Sequence, residues 1–381
     1  GMIGIGAINA INFGFAPTLT ASGGASAYSS GTGTPVVVDN GITLSDSDSS
    51  TQASATVSIT GNFRSGEDVL AFVNNNSTTY GNVVASYNSG TGVLTLTSSG
   101  ATPTLAQWQA ALRAVTYQDS SLSPNTGSRT ISFAINDGAI NSSAVTKTVT
   151  VAADAAPVLG NLNGDSATFT EKGGPVKLDV NTAATVTDSD TPNFNNGNLT
   201  VHVSANGQAS QDVLGVDTSG TVSLSNGTNV GSAVLVGGVT VGVIASNGDG
   251  LNGHDLVISF GSNATPPRVA TLVRALTYSN SNTNDPSAAT RTINVSVNDG
   301  RGGTGSANVT VAIAAVNDAP TASATASNPT FTMNGAAVTV FSGASVSAVE
   351  ASQSVSQLTL TVSGLQDGAG DKLSAAARNG A

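Results

Sequence analysis

Short runs in which apolar and polar residues alternate occupy most of this chain. Clusters of Gly, Asn, Ser and Asp separate the runs. A period of two places alternate side chains on opposite faces of a β-strand, and the clusters supply turns. The pattern therefore predicts an all-β fold of antiparallel β-sandwiches. The alternating runs are 55–59, 93–96, 131–135, 145–151, 199–203, 256–260, 293–297, 309–313 and 358–362.

Two segments depart from the alternation and predict short helices. Thr-Pro pairs at 102–103 and 265–266 supply an N-cap residue followed by a proline at the first helical position. Apolar residues then recur at helical spacing, and they include Trp108. We predict one short helix in each module, packed on the sandwich, with Trp108 in the core rather than in a sugar-binding site.

The helix and strand patterns occur twice, at a fixed distance. Arg-Ala-Val-Thr-Tyr at 113–117 recurs as Arg-Ala-Leu-Thr-Tyr at 274–278, and Asn-Asp-Gly at 136–138 recurs at 298–300. Self-similarity at a fixed period indicates a duplicated module. A third copy begins near Ala319 and contains the early strands of a module without its closing segments. The predicted organisation is an apolar N-terminal segment (1–15), module 1 (16–155), module 2 (156–318) and an incomplete module 3 (319–381).

Composition excludes several classes of function. The chain of 381 residues has a formal net charge of −11, and only 9% of its residues are charged. Nucleic acid and anionic membranes are therefore unfavourable partners. No run of 18 apolar residues is present, so membrane insertion is not expected. The absence of cysteine excludes disulfides and thiol chemistry.

Oxygen-bearing side chains gather at the predicted module boundaries. Ca²⁺ binds six to eight oxygen ligands supplied by several loops. For the boundary between modules 1 and 2 the candidate ligands are Asp137, Asp154, Glu171, Asp188 and Asp190. For the next boundary they are Asp299, Asn317, Asp318 and Glu350. A simpler interpretation is that each Asp only shapes a turn, because Asx side chains commonly do so.

The same residues resemble the cadherin repeat. The Asn-Asp-Gly loops, the Val-Asn-Asp-Ala-Pro linker at 316–320 and the Asp-Ser-Asp at 188–190 are similar to the acidic loop, linker and DxD of cadherin-like repeats in large bacterial surface and type I secreted adhesins. The resemblance implies calcium between extracellular repeats. Three departures are the longer modules, the added helix and the Glu-Ala-Ser at 350–352 in place of a DxD. We therefore expect a weaker or absent metal site at the second boundary.

Other candidate sites are less specific. The glycine-rich segment 247–255 resembles half of an RTX calcium repeat, but a plain hairpin loop is the favoured interpretation. His202 lies in a predicted strand and His254 in a loop, and neither has catalytic or metal-ligand spacing. The paired aspartates recur in both copies, which favours an architectural role. We predict that the chain is not an enzyme.

These observations predict a secreted or cell-surface spacer or adhesion segment, stiffened by calcium. Distal domains would contact a surface protein or glycan. The alternatives are a glycan- or protein-binding module, a filament or surface-layer subunit, or the non-catalytic scaffold of a secreted hydrolase. A further expectation is head-to-tail self-association, in which the alternating Ile11, Phe13 and Phe15 add as a strand to a neighbour's open module.

Overall fold

The computed structural model describes residues 14–375. It confirms the all-β prediction: sandwich-like pairs of sheets follow one another along the chain, with few short helices. The alternating Ile11 and Phe13 of the self-association hypothesis lie outside the described residues. No helix in the described part of the chain is long and apolar enough to cross a lipid bilayer.

Module 1 contains eleven strands and two α-helices. The elements are β1 Thr18–Thr20, β2 Ala25–Ser29, β3 Val36–Val37, β4 Thr43–Ser45, β5 Ser54–Gly61, β6 Asp68–Ala71, α1 Ser77–Tyr80, β7 Val84–Asn88, β8 Val93–Thr97, α2 Leu105–Arg113, β9 Thr116–Asp119, β10 Arg129–Asn136 and β11 Val145–Ala152. A 3₁₀ turn at Ser99–Ala101 precedes α2.

Module 2 contains thirteen strands and one α-helix. The elements are β12 Val158–Gly160, β13 Ser166–Thr170, β14 Val176–Lys177, β15 Thr185–Thr187, β16 Asn198–Ala205, β17 Asp212–Val216, β18 Val222–Thr228, β19 Ala233–Val236, β20 Val239–Asp249, β21 Leu256–Phe260, α3 Pro266–Val273, β22 Leu276–Asn280, β23 Arg291–Asn298 and β24 Thr304–Ala314.

The sheets of the two modules correspond. Module 1 has a six-stranded sheet in the order β2-β11-β10-β5-β8-β7, and module 2 has an eight-stranded sheet in the order β13-β24-β23-β16-β21-β20-β19-β18. Each large sheet faces a three-stranded sheet, β3-β9-β6 or β14-β22-β17. Strand pairing is antiparallel except for β2 with β11 and β13 with β24, which are parallel. The duplication seen in the sequence is therefore a duplication of topology.

Each module has its own hydrophobic core. One cluster of buried side chains extends from Leu19 to Val151, and the other from Leu159 to Ile313. Trp108 is fully buried in the first cluster, as the helical spacing predicts, and its indole Nε1 donates a hydrogen bond to Gln52 O at 2.9 Å. Every second side chain of β10 and β23 is buried, because it lies on the face of the strand that points towards the small sheet. The side chains between them lie on the opposite face.

The N-terminus of α2 differs from the prediction, whereas that of α3 agrees with it. The N-cap of α2 is Thr104 rather than Thr102, because Thr104 and Gln107 form a reciprocal capping box. In module 2 the predicted arrangement holds, with Thr265 at the N-cap and Pro266 at the first helical position. The one-turn helix α1, capped by Asn76, was not predicted, since four residues are too few to show a helical period.

A buried ion pair joins the two sheets of each module. Arg129 Nε lies 3.0 Å from Asp68 Oδ1, and both side chains are fully buried. Tyr117 donates its hydroxyl hydrogen to the same Asp68 oxygen at 2.6 Å. Arg291 and Asp212 repeat the pair in module 2. The repeated Arg and Asp positions are thus explained by the interior of the module.

The third segment forms only a small sheet in the described residues. Its strands are β25 Thr321–Ala326 and β26 Phe341–Ser347, which pair with each other, and a 3₁₀ turn follows at Gly368–Gly370. The alternating run at 358–362 forms no strand, so that prediction was wrong. Leu199 of β16 is fully buried, but Leu358, in the matching Leu-Thr pattern, is 60% exposed. No sheet covers these apolar positions in the described residues, which explains why they do not pair.

Candidate metal centre

The two ends of a module present different loops because neighbouring strands of the large sheet are antiparallel. Asn298 at the end of β23 pairs with Asn198 at the start of β16. The loop that follows β23 and the loop that precedes β16 therefore lie at the same end of module 2. These loops carry Asp299 and the pair Asp188 and Asp190. This end of module 2 meets module 1.

Asp154 of the linker and Asp299 approach each other beside a glycine. A Cβ atom on Gly303 would lie 2.8 Å from Asp154 Oδ2 and 2.3 Å from Asp299 Oδ2, so only glycine fits between the strand and the two carboxylates. Thr191 donates its hydroxyl hydrogen to Asp154 Oδ1 at 3.3 Å. Asp299 Oδ1 is held in its own loop by backbone N–H donors from residues 301–303.

Asp188 and Asp190 complete the group of four acids. Asp188 Oδ1 accepts hydrogen bonds from the backbone N–H groups of Asp190 and Thr191, at 3.1 and 2.8 Å. The backbone N–H of Ala155 is 3.3 Å from each carboxylate oxygen of Asp190. The linker and the loop before β16 are therefore bonded to each other through backbone donors and carboxylate acceptors.

Module 1 contributes the turn that follows β2. Ser29 donates its hydroxyl hydrogen to Asp190 Oδ2 at 3.1 Å, and Thr191 donates to the carbonyl of Gly31 at 3.2 Å. A Cβ on Gly31 would lie 2.3 Å from the Asp190 carboxylate. The sequence reasoning missed both Ser29 and Gly31, because a Ser-Ser-Gly turn carries no acidic signal.

The carboxylates of this junction are incompletely satisfied. Asp154 Oδ2, Asp188 Oδ2 and Asp299 Oδ2 are buried and have no hydrogen-bond partner among the described residues, and Asp299 is fully buried. Burial, with the neighbouring Asp299 carboxylate, raises the pKa of Asp154 to about 6. Burial, with the neighbouring Asp190, also raises the pKa of Asp188. Both shifts mean that burial, and then a neighbouring negative charge, disfavours the ionised form of these two carboxyl groups.

The donor set fits an oxygen-binding cation. Hard cations such as Ca²⁺ take carboxylate and carbonyl oxygens. The junction offers three carboxylate oxygens, from three separate segments, that have no hydrogen-bond partner within residues 14–375. Within residues 14–375, however, no three His, Asp or Glu side chains already converge as a metal-binding group. Binding would therefore require the carboxylates to rotate towards one centre. Asp154, Asp188, Asp190 and Asp299 are the residues that would hold the ion.

Asp137 does not lie at this junction, and its predicted placement was wrong. It follows β10, whose last residue, Asn136, pairs with Ser54 at the start of β5. It therefore lies at the opposite end of module 1 from the linker. Asp137 Oδ1 accepts backbone hydrogen bonds from Ala139 and Ile140, both at 2.7 Å, as a turn-forming Asp does. A metal-binding role for Asp137 at that end stays a prediction.

Glu171 and Asp299 exchange their predicted places. Glu171 follows β13, which is parallel to β24, so it lies where module 2 ends. Its backbone N–H donates to Ala314 O at 2.9 Å, and its Oε2 accepts from Val316 N at 2.8 Å. Glu171 therefore belongs to the second junction and not to the first. Asp299 belongs to the first junction.

The remaining predicted residues do gather at the second junction. Asp318 N donates to Glu350 Oε1, and Asn317 Oδ1 accepts from Gln353 Nε2 at 2.6 Å. Glu171 Oε1, Asp318 Oδ2 and Glu350 Oε2 are buried without a partner in the described residues. The second junction therefore also carries acidic groups from three segments.

The two histidines lie in one shallow cavity of module 2, away from both junctions. The cavity has a volume of about 270 Å³, and His202, Gln208 and His254 contribute to its lining. His202 Nδ1 is 2.6 Å from Asp255 Oδ1, and His254 Nδ1 is 2.9 Å from Asp249 Oδ1. Segment 247–255 forms the end of a hairpin between β20 and β21, as the simpler interpretation predicts.

Comparison with known proteins identifies no sequence family. No family model matches the chain. No curated protein matches it either.

Solved structures of tandem β-domain proteins are similar to the chain. An I-band fragment I67–I69 from titin is 6% identical with a TM-score of 0.23, covering 78% of this chain and 66% of the fragment. Cadherin domains 1–4 of protocadherin gamma B7 are 10% identical with a TM-score of 0.25, covering 87% and 59%. BspA_C_WT is 11% identical with a TM-score of 0.24, covering 68% and 84%. The chain thus spans less than two thirds of the protocadherin fragment. All three TM-scores lie below 0.5, so the functional argument rests on the chain's own residues.

Proposed function

We propose that this chain is a non-enzymatic, extracellular spacer or adhesion segment whose first module junction is stiffened by Ca²⁺. One observation carries the proposal: Asp154 Oδ2, Asp188 Oδ2 and Asp299 Oδ2 are buried where the two modules meet, and no residue of the described part of the chain forms a hydrogen bond with them. Turn chemistry alone explains one oxygen of an Asp, which accepts the backbone N–H groups of its loop. It does not explain why the second oxygens are buried together.

The contacts of the junction support a stiffening role. Module 1 is bonded to the acidic loops through Ser29 and the carbonyl of Gly31. The linker contributes Asp154 and the N–H of Ala155 to the same group. Without a cation the carboxylates repel one another in a partly dehydrated site. A bound Ca²⁺ would remove this repulsion and hold the linker and the loops of module 2 in one arrangement.

The corresponding biological role is to hold a more distant binding partner away from a surface. Modules connected by short linkers transmit orientation when each junction is fixed. The linker between β11 and β12 contains only five residues, so little chain is free to bend. We propose secretion or attachment to a cell surface as the setting, because extracellular calcium modules bind at about 10⁻⁴–10⁻³ M Ca²⁺.

The test is a pair of substitutions in equivalent loops. Asp299→Asn removes one charge at the first junction and keeps an acceptor for the backbone donors of the loop. Asp137→Asn makes the same change in the matching loop of module 1, away from the junction. Calorimetry should show weaker Ca²⁺ binding for Asp299→Asn. Small-angle scattering should show a narrower distance distribution with Ca²⁺ for the wild type and Asp137→Asn, but not for Asp299→Asn.

Two results would contradict the proposal. One is that the wild-type chain binds no Ca²⁺ in calorimetry. The other is that Asp299→Asn binds and responds like the wild type, which would show that its buried carboxylate only shapes the loop.

A further inference from the structure

Equivalent positions of the two junctions can be identified from backbone hydrogen bonds at the ends of the modules. Ser30 and Glu171 each follow the strand that pairs in parallel with the last strand of their module, and each donates its backbone N–H to that last strand. The acceptors are Ala152 O at 3.2 Å and Ala314 O at 2.9 Å. The next residues, Gly31 and Lys172, are therefore equivalent.

At the first junction this position brings no charge. Gly31 has no side chain, and the Asp190 carboxylate occupies the space beside it. Arg301 places a cationic side chain beside this turn, since its guanidinium lies against Gly33, 2.3 Å from the position that a Cβ on that glycine would occupy. Among the described residues Arg301 forms no ion pair. Within residues 14–375, none of the four aspartates of this junction forms an ion pair with a cationic side chain.

At the second junction the equivalent position brings an ammonium group. Glu350 takes the place of Asp190, because Asp318 N donates to Glu350 as Ala155 N does to Asp190. The sequence comparison had matched the whole Glu-Ala-Ser segment to the DxD, and the structure matches its glutamate to the second aspartate. Lys172 Nζ forms an ion pair with Asp318 Oδ1.

Two further buried carboxylates lie at this junction with Asp318, the acid that pairs with Lys172. Glu171 is 3% exposed and Glu350 is 8% exposed, and each has one oxygen without a partner in the described residues. Lys172 also has a φ of +62°, which Gly or Asn would adopt more readily. The backbone conformation at position 172 therefore does not favour lysine, whereas the ion pair with Asp318 does.

We propose that the Lys172 ammonium is the resident cation of the second junction and takes the place that Ca²⁺ would take at the first. The second junction then closes without metal, and a divalent ion is repelled by the tethered positive charge. Calcium would stiffen only the joint between modules 1 and 2. This inference rests in part on the proposed calcium site at the first junction, but its residues and its test are separate.

The test uses an Asp299→Asn background, in which the first junction is disabled. Lys172→Gly places the first junction's residue at the second junction, and glycine suits the positive φ. We expect Asp299→Asn alone to bind no Ca²⁺ in the range where the wild type is half saturated. The double variant Asp299→Asn/Lys172→Gly should gain one Ca²⁺ per chain, and Asp299→Asn/Lys172→Arg should gain none.

The outcomes separate the two proposals. If the Lys172→Gly double variant gains no ion, or if the Lys172→Arg variant gains one as readily, Lys172 is not the resident cation. If the wild type binds no Ca²⁺ but Lys172→Gly alone binds one, the calcium site of the first junction is refuted while the role of Lys172 stands. Circular dichroism melting of each variant verifies the fold, and Lys172→Asn, which also suits the positive φ, provides a second neutral variant if the glycine variant melts early.

Discussion

The carboxylates of Asp154 and Asp299 face each other across Gly303, from different segments of the chain. Both Oδ2 atoms lie within 3 Å of the position that a Cβ on Gly303 would occupy. Two carboxylates this close in a partly buried site cannot both be ionised without a cost. A proton bound to one carboxylate would lower this cost, and so would the cation that we propose for this junction.

The proton gives a pH dependence that can be measured without metal. The pKa of Asp154 is raised from its ordinary value of 3.8 to about 6, by burial and by the Asp299 carboxylate. Between these values the folded state binds more protons than the unfolded state, so the free energy of unfolding falls as pH rises. We expect the wild-type chain in metal-free buffer to melt at a higher temperature at about pH 4.5 than at about pH 6.5.

Asp154→Asn isolates this contribution, because the amide does not titrate. The difference between the melting temperature of the wild type and that of Asp154→Asn, taken as wild type minus variant, should become smaller when the pH is raised from the lower value to the higher one. A constant difference would show that Asp154 titrates normally. Added Ca²⁺ at the higher pH should restore the wild type and leave Asp154→Asn nearly unchanged.

Gly31 provides a steric test of the interface between the modules. A Cβ at this position would lie 2.3 Å from the Asp190 carboxylate, so Gly31→Ala must displace the loop that carries Asp190. We expect a broader distance distribution in small-angle scattering and weaker Ca²⁺ binding. The core of module 1 should stay intact, because Gly31 lies in the turn after β2 and is not part of the hydrophobic core cluster.

Gly23→Ala is the matched control for this change. A Cβ on Gly23 meets no described atom within 4 Å, and both substitutions add one methyl group to a turn at the edge of module 1. If Gly31→Ala and Gly23→Ala give the same scattering profile and the same Ca²⁺ affinity, the turn after β2 does not control the junction.

The alternation in the sequence was sufficient to predict four strands of the large sheet in each complete module. The alternation at 131–135 and 293–297 lies within β10 and β23, whose alternate residues are buried in the core. The helical spacing around Trp108 correctly predicted that its indole lies in the core, because a large apolar side chain on the inner face of an amphipathic helix is normally buried. The alternation at 358–362 was misleading, since a strand also needs a partner, and the pattern of one segment does not show whether a partner is present.

The junctions could be predicted only in part. The acidic residues were identified, but Asp137 and Glu171 were assigned to the wrong ends of their modules. Strand direction decides these positions: β10 and β11 are antiparallel, so the loop after β10 lies far from the end of β11. Because successive antiparallel strands reverse direction, counting the strands of the repeat would have shown at which end of the module each acidic loop lies. Lys172 could not be found in that way, because it is a single residue in a turn and is not repeated in module 1.

The last prediction concerns the buried ion pair of module 1. Asp68→Ala leaves the Arg129 guanidinium buried without its main counter-charge, and it also removes the acceptor of the Tyr117 hydroxyl. Breaking a buried pair by removing one partner costs about 3–5 kcal/mol. We expect a loss of this size in the free energy of unfolding of module 1. Trp108 is the only tryptophan of the chain and lies in this core, so its fluorescence during denaturant titration measures the effect.

Asp119→Asn should be milder, and module 2 supplies the reason. Asp119 Oδ2 is the second partner of Arg129, at 3.0 Å, whereas module 2 has Asn280 at the equivalent position and leaves Arg291 Nη2 without a partner among the described residues. A folded module therefore tolerates the amide there, and we expect a loss of about 1–3 kcal/mol, as for one unsatisfied buried group. Equal losses for Asp68→Ala and Asp119→Asn would mean that the two carboxylates share the guanidinium charge evenly, contrary to the comparison of the modules.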